Sequence, residues 1–232
     1  MSVQVVILAA GMGTRLGRPF PKPLTPLKDG RTIMAQQLGN VRSVFDGDAE
    51  VMVVVGFKLE QVMEAAPEVA FAYNELYDQT NTSKSLLKAL RATGERGVLW
   101  MNGDVVFHPE VLRRVKPLIE AGKSFVCVNT SSVAEEEVKY TVDADGFIAD
   151  LSKQVPTGQA LGEAVGINFI AGSDKKLLVE KLVAVDDQDY FERGIEIAIA
   201  EDGLKVTPVD ISDLYAVEVD FDEDLERANE QL

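Results

Sequence analysis

The run Val5-Val6-Ile7-Leu8 passes directly into Ala9-Ala10-Gly11-Met12-Gly13, and this junction constrains the fold more than any other stretch. Four apolar, partly β-branched residues in a row read as a strand buried on both faces, the pattern of a parallel sheet covered by helices. The small residues and glycines that follow let the backbone turn sharply and leave N–H groups unpaired. A loop of unpaired amides opening toward a helix start favours an anion, phosphate above all.

Charge agrees with that geometry. From Met1 to Arg31 the ionisable residues are Arg15, Arg18, Lys22, Lys28 and Arg31 against Asp29 alone, although the whole chain has 23 basic and 38 acidic residues and a net charge of −15. Gly11, Gly13 and Gly17 do not make the G-x-G-x-x-G of a dinucleotide fold, and no G-K-[ST] closes the loop as in a P-loop. A tight strand-to-helix turn with solvated basic residues is the plainer alternative. Lys22, set between Pro21 and Pro23, favours a phosphate site, because the prolines stiffen the backbone and aim the ammonium at one point.

The motif Leu8-Ala9-Ala10-Gly11-x-Gly13-Thr14-Arg15-Leu16, followed by Pro21-Lys22-Pro23-Leu24, resembles the opening of the nucleotidyltransferases that join an NTP to a sugar 1-phosphate or a small phosphomonoester. Molybdopterin guanylyltransferases are similar but usually have Gly-Gly and a shorter run to the lysine. The resemblance implies a Rossmann-like, mostly parallel α/β sheet flanked by helices, with a small antiparallel lid. It also implies that Leu8, Ala9, Ala10, Gly11, Met12, Gly13, Thr14 and Arg15 hold the nucleotide, with Lys22 and Arg15 in catalytic positions.

The 232 residues suit one α/β domain, here taken as 1–232 with an acceptor-binding insertion at about 135–170. Strong acidity argues against nucleic acid or an anionic membrane as partner. Cys127, the single cysteine, lies in an apolar run and excludes an internal disulfide. No stretch approaches a membrane span and no basic lead precedes the first apolar run, so a cytoplasmic enzyme is expected. Oligomeric state is not legible.

Helices are expected over 32–44, 58–66, about 82–92, 109–121, 173–183 and 189–200. Strands are expected over 50–56, 69–73, 97–107, 124–128, 162–170 and 214–220, with a hairpin between Val138 and Leu151 turning at Asp145-Gly146. Alternating strands and helices imply right-handed crossovers.

Further candidates fall on these elements. Asn81, Ser83 and Ser85 stand ahead of and within a helix start, where at least one serves as a cap. The family uses this segment to read the base, and Asn-Thr-x-x-Ser is most similar to cytidylyltransferases acting on phosphocholine-like substrates. Asp104 closes a buried strand, where open sheets bind ligands, and is the first candidate metal ligand. His108, the only histidine, reads as structural, which suits a reaction whose phosphate nucleophile, with a second pKa of about 6, needs no general base.

Lys153 is either a solvated lysine or, by resemblance, a catalytic group that meets the acceptor phosphate; Glu163 and Gly166 would face the acceptor. Tyr190 and Glu192 lie near a helix start, either as ordinary packing and dipole partners or as a cage for a cationic head group. Glu218 and Asp220 share one face of the last strand and resemble the family's closing Glu-x-Asp. Its aspartate completes an Mg²⁺ site with Asp104, with Glu218 a further candidate ligand.

The implied reaction joins an NTP, most simply CTP, to a phosphomonoester or phosphonate with release of pyrophosphate. The alternatives are a sugar-1-phosphate nucleotidyltransferase using UTP, dTTP or GTP, and a nucleotide-binding regulatory module without chemistry.

Overall fold

The computed structural model describes residues 2–13, 15–131 and 133–232. In chain order, β1 is Val3–Ala9, α1 Ile33–Phe45, β2 Ala49–Val55, α2 Leu59–Ala65, β3 Ala70–Tyr73 and α3 Thr82–Ala92. Next come β4 Val98–Asn102, β5 Val105–Phe107, α4 Glu110–Glu120, β6 Phe125–Asn129, β7 Lys139–Val142 and β8 Ile148–Ser152. The chain continues through β9 Gly162–Ile170, α5 Gly172–Ala184, α6 Phe191–Asp202, β10 Thr207–Asp210, β11 Ala216–Glu218 and α7 Asp222–Glu230.

The main sheet runs β10-β6-β9-β4-β1-β2-β3. Strand β1 pairs in parallel with both β2 and β4, and β2 with β3. Strand β9 runs antiparallel between β4 and β6, and the β7–β8 hairpin hangs from its first residues. The expected architecture is therefore found, with one reversed strand in its middle.

Period two in β1 explains why both faces are covered. Val5 and Ile7 pack on one side with Met34 and Leu38 of α1 and Leu112 of α4. Val6 and Leu8 pack on the other with Leu86 and Leu90 of α3, Leu178 of α5 and Ile195 of α6. Each such side chain removed from water contributes about 1.5–3 kcal/mol. Trp100 belongs to the second layer, 1% exposed and edge-on to Phe191 at 5.5 Å. Cys127 is fully buried, and burial pushes its thiol pKa up.

Local rules account for most boundaries. The Thr32 side chain accepts from Ala35 N at 3.1 Å and starts α1. Replacing Thr32 by alanine is expected to cost about 1 kcal/mol in urea denaturation, with the slope of the transition unchanged. His108 is structural: its Nδ1 accepts from Glu110 N at 3.1 Å, and its ring packs edge-on against Tyr215.

Four elements depart from the sequence reading. The run 97–107 is two strands: Gly103 N donates to Leu8 O at 2.9 Å as the last rung of the pairing with β1, and the chain beyond it leaves the main sheet. Strand β5 then pairs antiparallel with β11, which is shorter than the expected 214–220. Strand β10 is not among the expected strands; its Pro208 is tolerated because β10 is the outermost strand of the sheet. Helix α6 starts at Phe191 rather than 189, after the loop 186–189 is fastened to the start of α3.

Candidate active site

A cleft of about 980 Å³ opens at the carboxyl ends of β1 and β4 and is lined by Gly11, Gly13, Arg15, Lys22, Asp104 and Asp220, among others. Its position follows from the parallel strands, whose carboxyl ends deliver loops to one rim. Gly103 lets that rim close up, since a Cβ there would stand 2.6 Å from Leu8 O. From the end of β1, Leu8 and Ala9 line the cleft, while Ala10 O is taken by Phe57 N at 3.0 Å. Gly11 and Met12 are exposed, and Thr14 lies outside the described residues.

Gly13 has φ +59°, and a Cβ there would come 3.0 Å from Lys22 Cβ, so the loop lies directly against the lysine stem. The Lys22 backbone is fixed by its one-turn 3₁₀ segment Lys22–Leu24, with Leu24 N donating to Pro21 O and Thr25 N to Lys22 O. Its ammonium donates to Asp104 Oδ2 at 2.7 Å and also to the Asp220 carboxylate. Arg15 donates to the other oxygen of Asp220 at 2.8 Å. Burial works against the Lys22 charge, but Asp104 and Asp220 outweigh it and hold its pKa above the usual value. Burial likewise opposes the Asp220 charge, and Lys22 and Arg15 reverse that, keeping its pKa low.

The two carboxylates predicted to share an ion thus share an ammonium, which brings residues 104 and 220 to within reach of one cation. Asp104 Oδ1 is buried with no hydrogen-bond partner among the described residues. Among those residues no group of three or more His, Cys, Asp or Glu converges. A two-carboxylate site with one orphaned oxygen fits Mg²⁺, which takes one or two carboxylates and completes its shell with water and substrate phosphates.

The far wall of the cleft comes from β9, the β7–β8 hairpin and the start of α6. Lys153 Nζ stands 4.6 Å from the centre of the Tyr190 ring. Glu163 accepts from Ala134 N at 3.0 Å. Gly166, with φ +69°, could not be replaced without collision: a Cβ would fall 2.6 Å from Glu218 Oε1 and 2.7 Å from Asn102 Nδ2. Those two side chains are themselves bonded at 2.8 Å.

Burial, with the negative charge of Asp104, pushes the Glu218 pKa to about 8, and burial raises Glu192 to about 7. Glu192 Oε2 is buried with no hydrogen-bond partner among the described residues. Glu137 joins this wall with a pKa raised by burial and by Glu163. It was missed in the sequence because Glu135-Glu136-Glu137 is indistinguishable there from a solvated charge run.

The segment assigned to the base is only partly in the cleft. Ser83 is fully buried and Ser85 accepts from Asn74 Nδ2 at 3.0 Å, so both face inward. Asn81 caps α3 through Thr82 N at 2.8 Å and donates to Gln188 O at 3.2 Å. Thr82 is the residue of this segment that lines the cleft, and its Oγ1 accepts from Phe191 N at 3.2 Å.

A glycine loop at the end of β1, a proline-braced lysine beside it and a mixed sheet with an antiparallel appendage define the nucleotidyltransferase fold. Residues 5–164 match the MobA-like NTP transferase domain, and the chain belongs to that family. The CMP-5'-(3-aminopropyl)phosphonate synthase of Streptomyces rubellomurinus is 32% identical over 98% of this chain and 38% of its own length. The bifunctional protein GlmU of Burkholderia ambifaria is 30% identical over 66% of this chain and 33% of its own length. The chain therefore spans about a third of the length of these curated relatives.

Among solved structures, the CTP:phosphocholine cytidylyltransferase of Streptococcus pneumoniae superposes with a TM-score of 0.79 at 18% identity, covering 99% of both chains. The inositol-1-phosphate CTP transferase of T. maritima gives 0.76 at 16% identity, covering all of this chain and 98% of the other. At such identities the likeness establishes the fold. No helix among the described residues is long and apolar enough to cross a membrane.

Proposed function

We propose that this chain is a Mg²⁺-dependent cytidylyltransferase that joins CTP to a small phosphomonoester or phosphonate in the cytoplasm and releases pyrophosphate. The observation that carries the reading is the Lys22 ammonium held between Asp104 and Asp220 at the mouth of the glycine loop. Cytosine as the base is supported by the names of the Streptomyces relative and of the phosphocholine and inositol-phosphate structures.

An acceptor phosphate oxygen attacks the α-phosphorus of CTP; its new P–O bond forms as the α–β bridge breaks, and the electron pair leaves with pyrophosphate. Loop amides and Arg15 hold the β and γ phosphates. Lys22 moves its charge to where the two anions meet, and Lys153 receives the acceptor's phosphate. Asp104 and Asp220 would hold Mg²⁺, with Glu218 as a further candidate ligand, and the ion would supply neutralisation of phosphate charge. No residue needs to remove a proton, which accords with the capping role of His108.

The acceptor portion, about 135–170, works within the one domain 1–232. Asn81 and Thr82 flank the base, with Ser83 and Ser85 stiffening the turn behind them. Glu137, Glu192 and the face of Tyr190 suit an acceptor bearing a cationic group, with Glu163 and Gly166 framing it.

Pyrophosphate release from CTP, UTP, dTTP and GTP against phosphocholine, phosphoethanolamine, aminophosphonates, inositol phosphate and sugar 1-phosphates tests the reading. CTP with a cationic acceptor is expected to exceed every other pair by at least about tenfold. Preference for UTP or dTTP with a sugar 1-phosphate replaces it with the sugar-nucleotide alternative, and binding without any release makes the chain a regulatory module.

A further inference from the structure

The Lys22 ammonium stands where a divalent ion must go. Its two acceptors are the carboxylates that the proposed function assigns to Mg²⁺, and the Asp220 carboxylate is occupied twice over, by Lys22 and by Arg15. The backbone of residue 22 cannot travel, being held by the hydrogen bonds of its 3₁₀ turn and packed against Gly13, so only the four-carbon stem can swing. The side chain is only 11% exposed and Asp104 25%, so the ion pair is largely shielded from the solvent screening that makes surface pairs weak.

We propose that Lys22 is a built-in stand-in cation: in the free chain it neutralises Asp104 and Asp220 and keeps divalent ions out until a triphosphate draws the ammonium away. The inference rests on the cleft being an NTP site and concerns its order of loading.

The physics is a competition between tethered and free cations. A tethered ammonium faces its carboxylates at an effective concentration of about millimolar or more, so a dissolved ion must displace both Lys22 and Arg15 while shedding its own water. A triphosphate changes the balance from the other side, because its oxygens offer both cationic side chains new partners and leave the two carboxylates vacant. Nucleotide and ion therefore load with positive coupling, and by linkage each strengthens the other to the same degree. The carboxylates exchange one cationic partner for another: Lys22 in the free chain, a divalent ion once the triphosphate has drawn Lys22 away.

Mn²⁺ is the probe, with the free ion followed by electron paramagnetic resonance in the absence of nucleotide. The Lys22→Met chain is expected to bind one Mn²⁺ at least about tenfold more tightly than the wild type, and adding Asp104→Asn is expected to abolish the gain. Lys22→Gln, which keeps a polar group, serves as the second variant should Lys22→Met fail to fold. Equal affinity in wild type and variant overturns the inference, as does a gain that survives Asp104→Asn. Stoichiometric uptake of Mn²⁺ by the nucleotide-free wild type overturns it without any variant. The titration involves no turnover, so it is read independently of whether any NTP and acceptor give pyrophosphate.

Discussion

Replacing Lys22 with methionine is expected to lower turnover with CTP about a thousandfold, the upper range for removing one group that stabilises developing charge. Methionine keeps most of the stem that packs on Gly13, so the loop retains its support. The ammonium is lost at the point where the glycine loop and the two carboxylates converge. Stability falls much less, since Arg15 still neutralises Asp220 and the cleft admits water to Asp104. Lys22→Arg is expected not to restore the rate, because a planar guanidinium cannot replace a compact ammonium between two carboxylates. The measurements are kcat by pyrophosphate release and the melting temperature of the same samples. A loss of less than tenfold removes Lys22 from the chemistry, and a loss of both rate and fold returns it to a structural role.

The second large effect is on stability against pH. An unfolded glutamate gives up its proton near its ordinary value of 4.5, whereas burial lets Glu192 keep its own to about 7. Between those values the folded state binds the extra proton, so Glu192 makes the free chain progressively less stable as pH rises through this window. The full difference amounts to about 3 kcal/mol. Glu192→Gln removes the titration and keeps the shape. Urea denaturation at pH values of about 4.5, 6 and 8 is expected to show the variant gaining on the wild type by up to about 3 kcal/mol at the alkaline end. A constant difference at all three values contradicts a buried, proton-holding Glu192. A cationic acceptor in the cleft would offset the same cost, and binding should then flatten the wild-type profile.

The fold was legible wherever a single physical signal dominated. The apolar run of β1 and the Asp145-Gly146 turn each depend on a few neighbouring residues, and each element appears where the pattern puts it. The breaks in the reading arose where a distant partner decided. The run after Gly103 becomes a separate strand because its partner is the distant β11, and Thr207–Asp210 becomes a strand because β6 has an open side.

The site divides in the same way. Lys22 and Asp104 announced themselves through a proline brace and a strand end. The sequence alone gave no means of telling that Ser83 turns inward while its neighbour Thr82 faces the cleft, since both are small, polar and at a helix start. Glu137 was invisible for a different reason: its proton affinity comes from burial beside Glu163, a neighbour 26 positions away in the chain and across a strand pairing.

The reversed course of β9 has a consequence for how such a molecule can change. Strands β1 and β4 reach the cleft with their last residues, but β9 runs the other way and reaches it with Glu163 and Gly166, near its beginning. Under the proposed function, the two substrates are therefore served by opposite ends of adjacent ribbons, connected to separate stretches of chain. Descent can rewrite the ribbon's opening and its hairpin to suit a new second substrate while the grip on the first is inherited untouched.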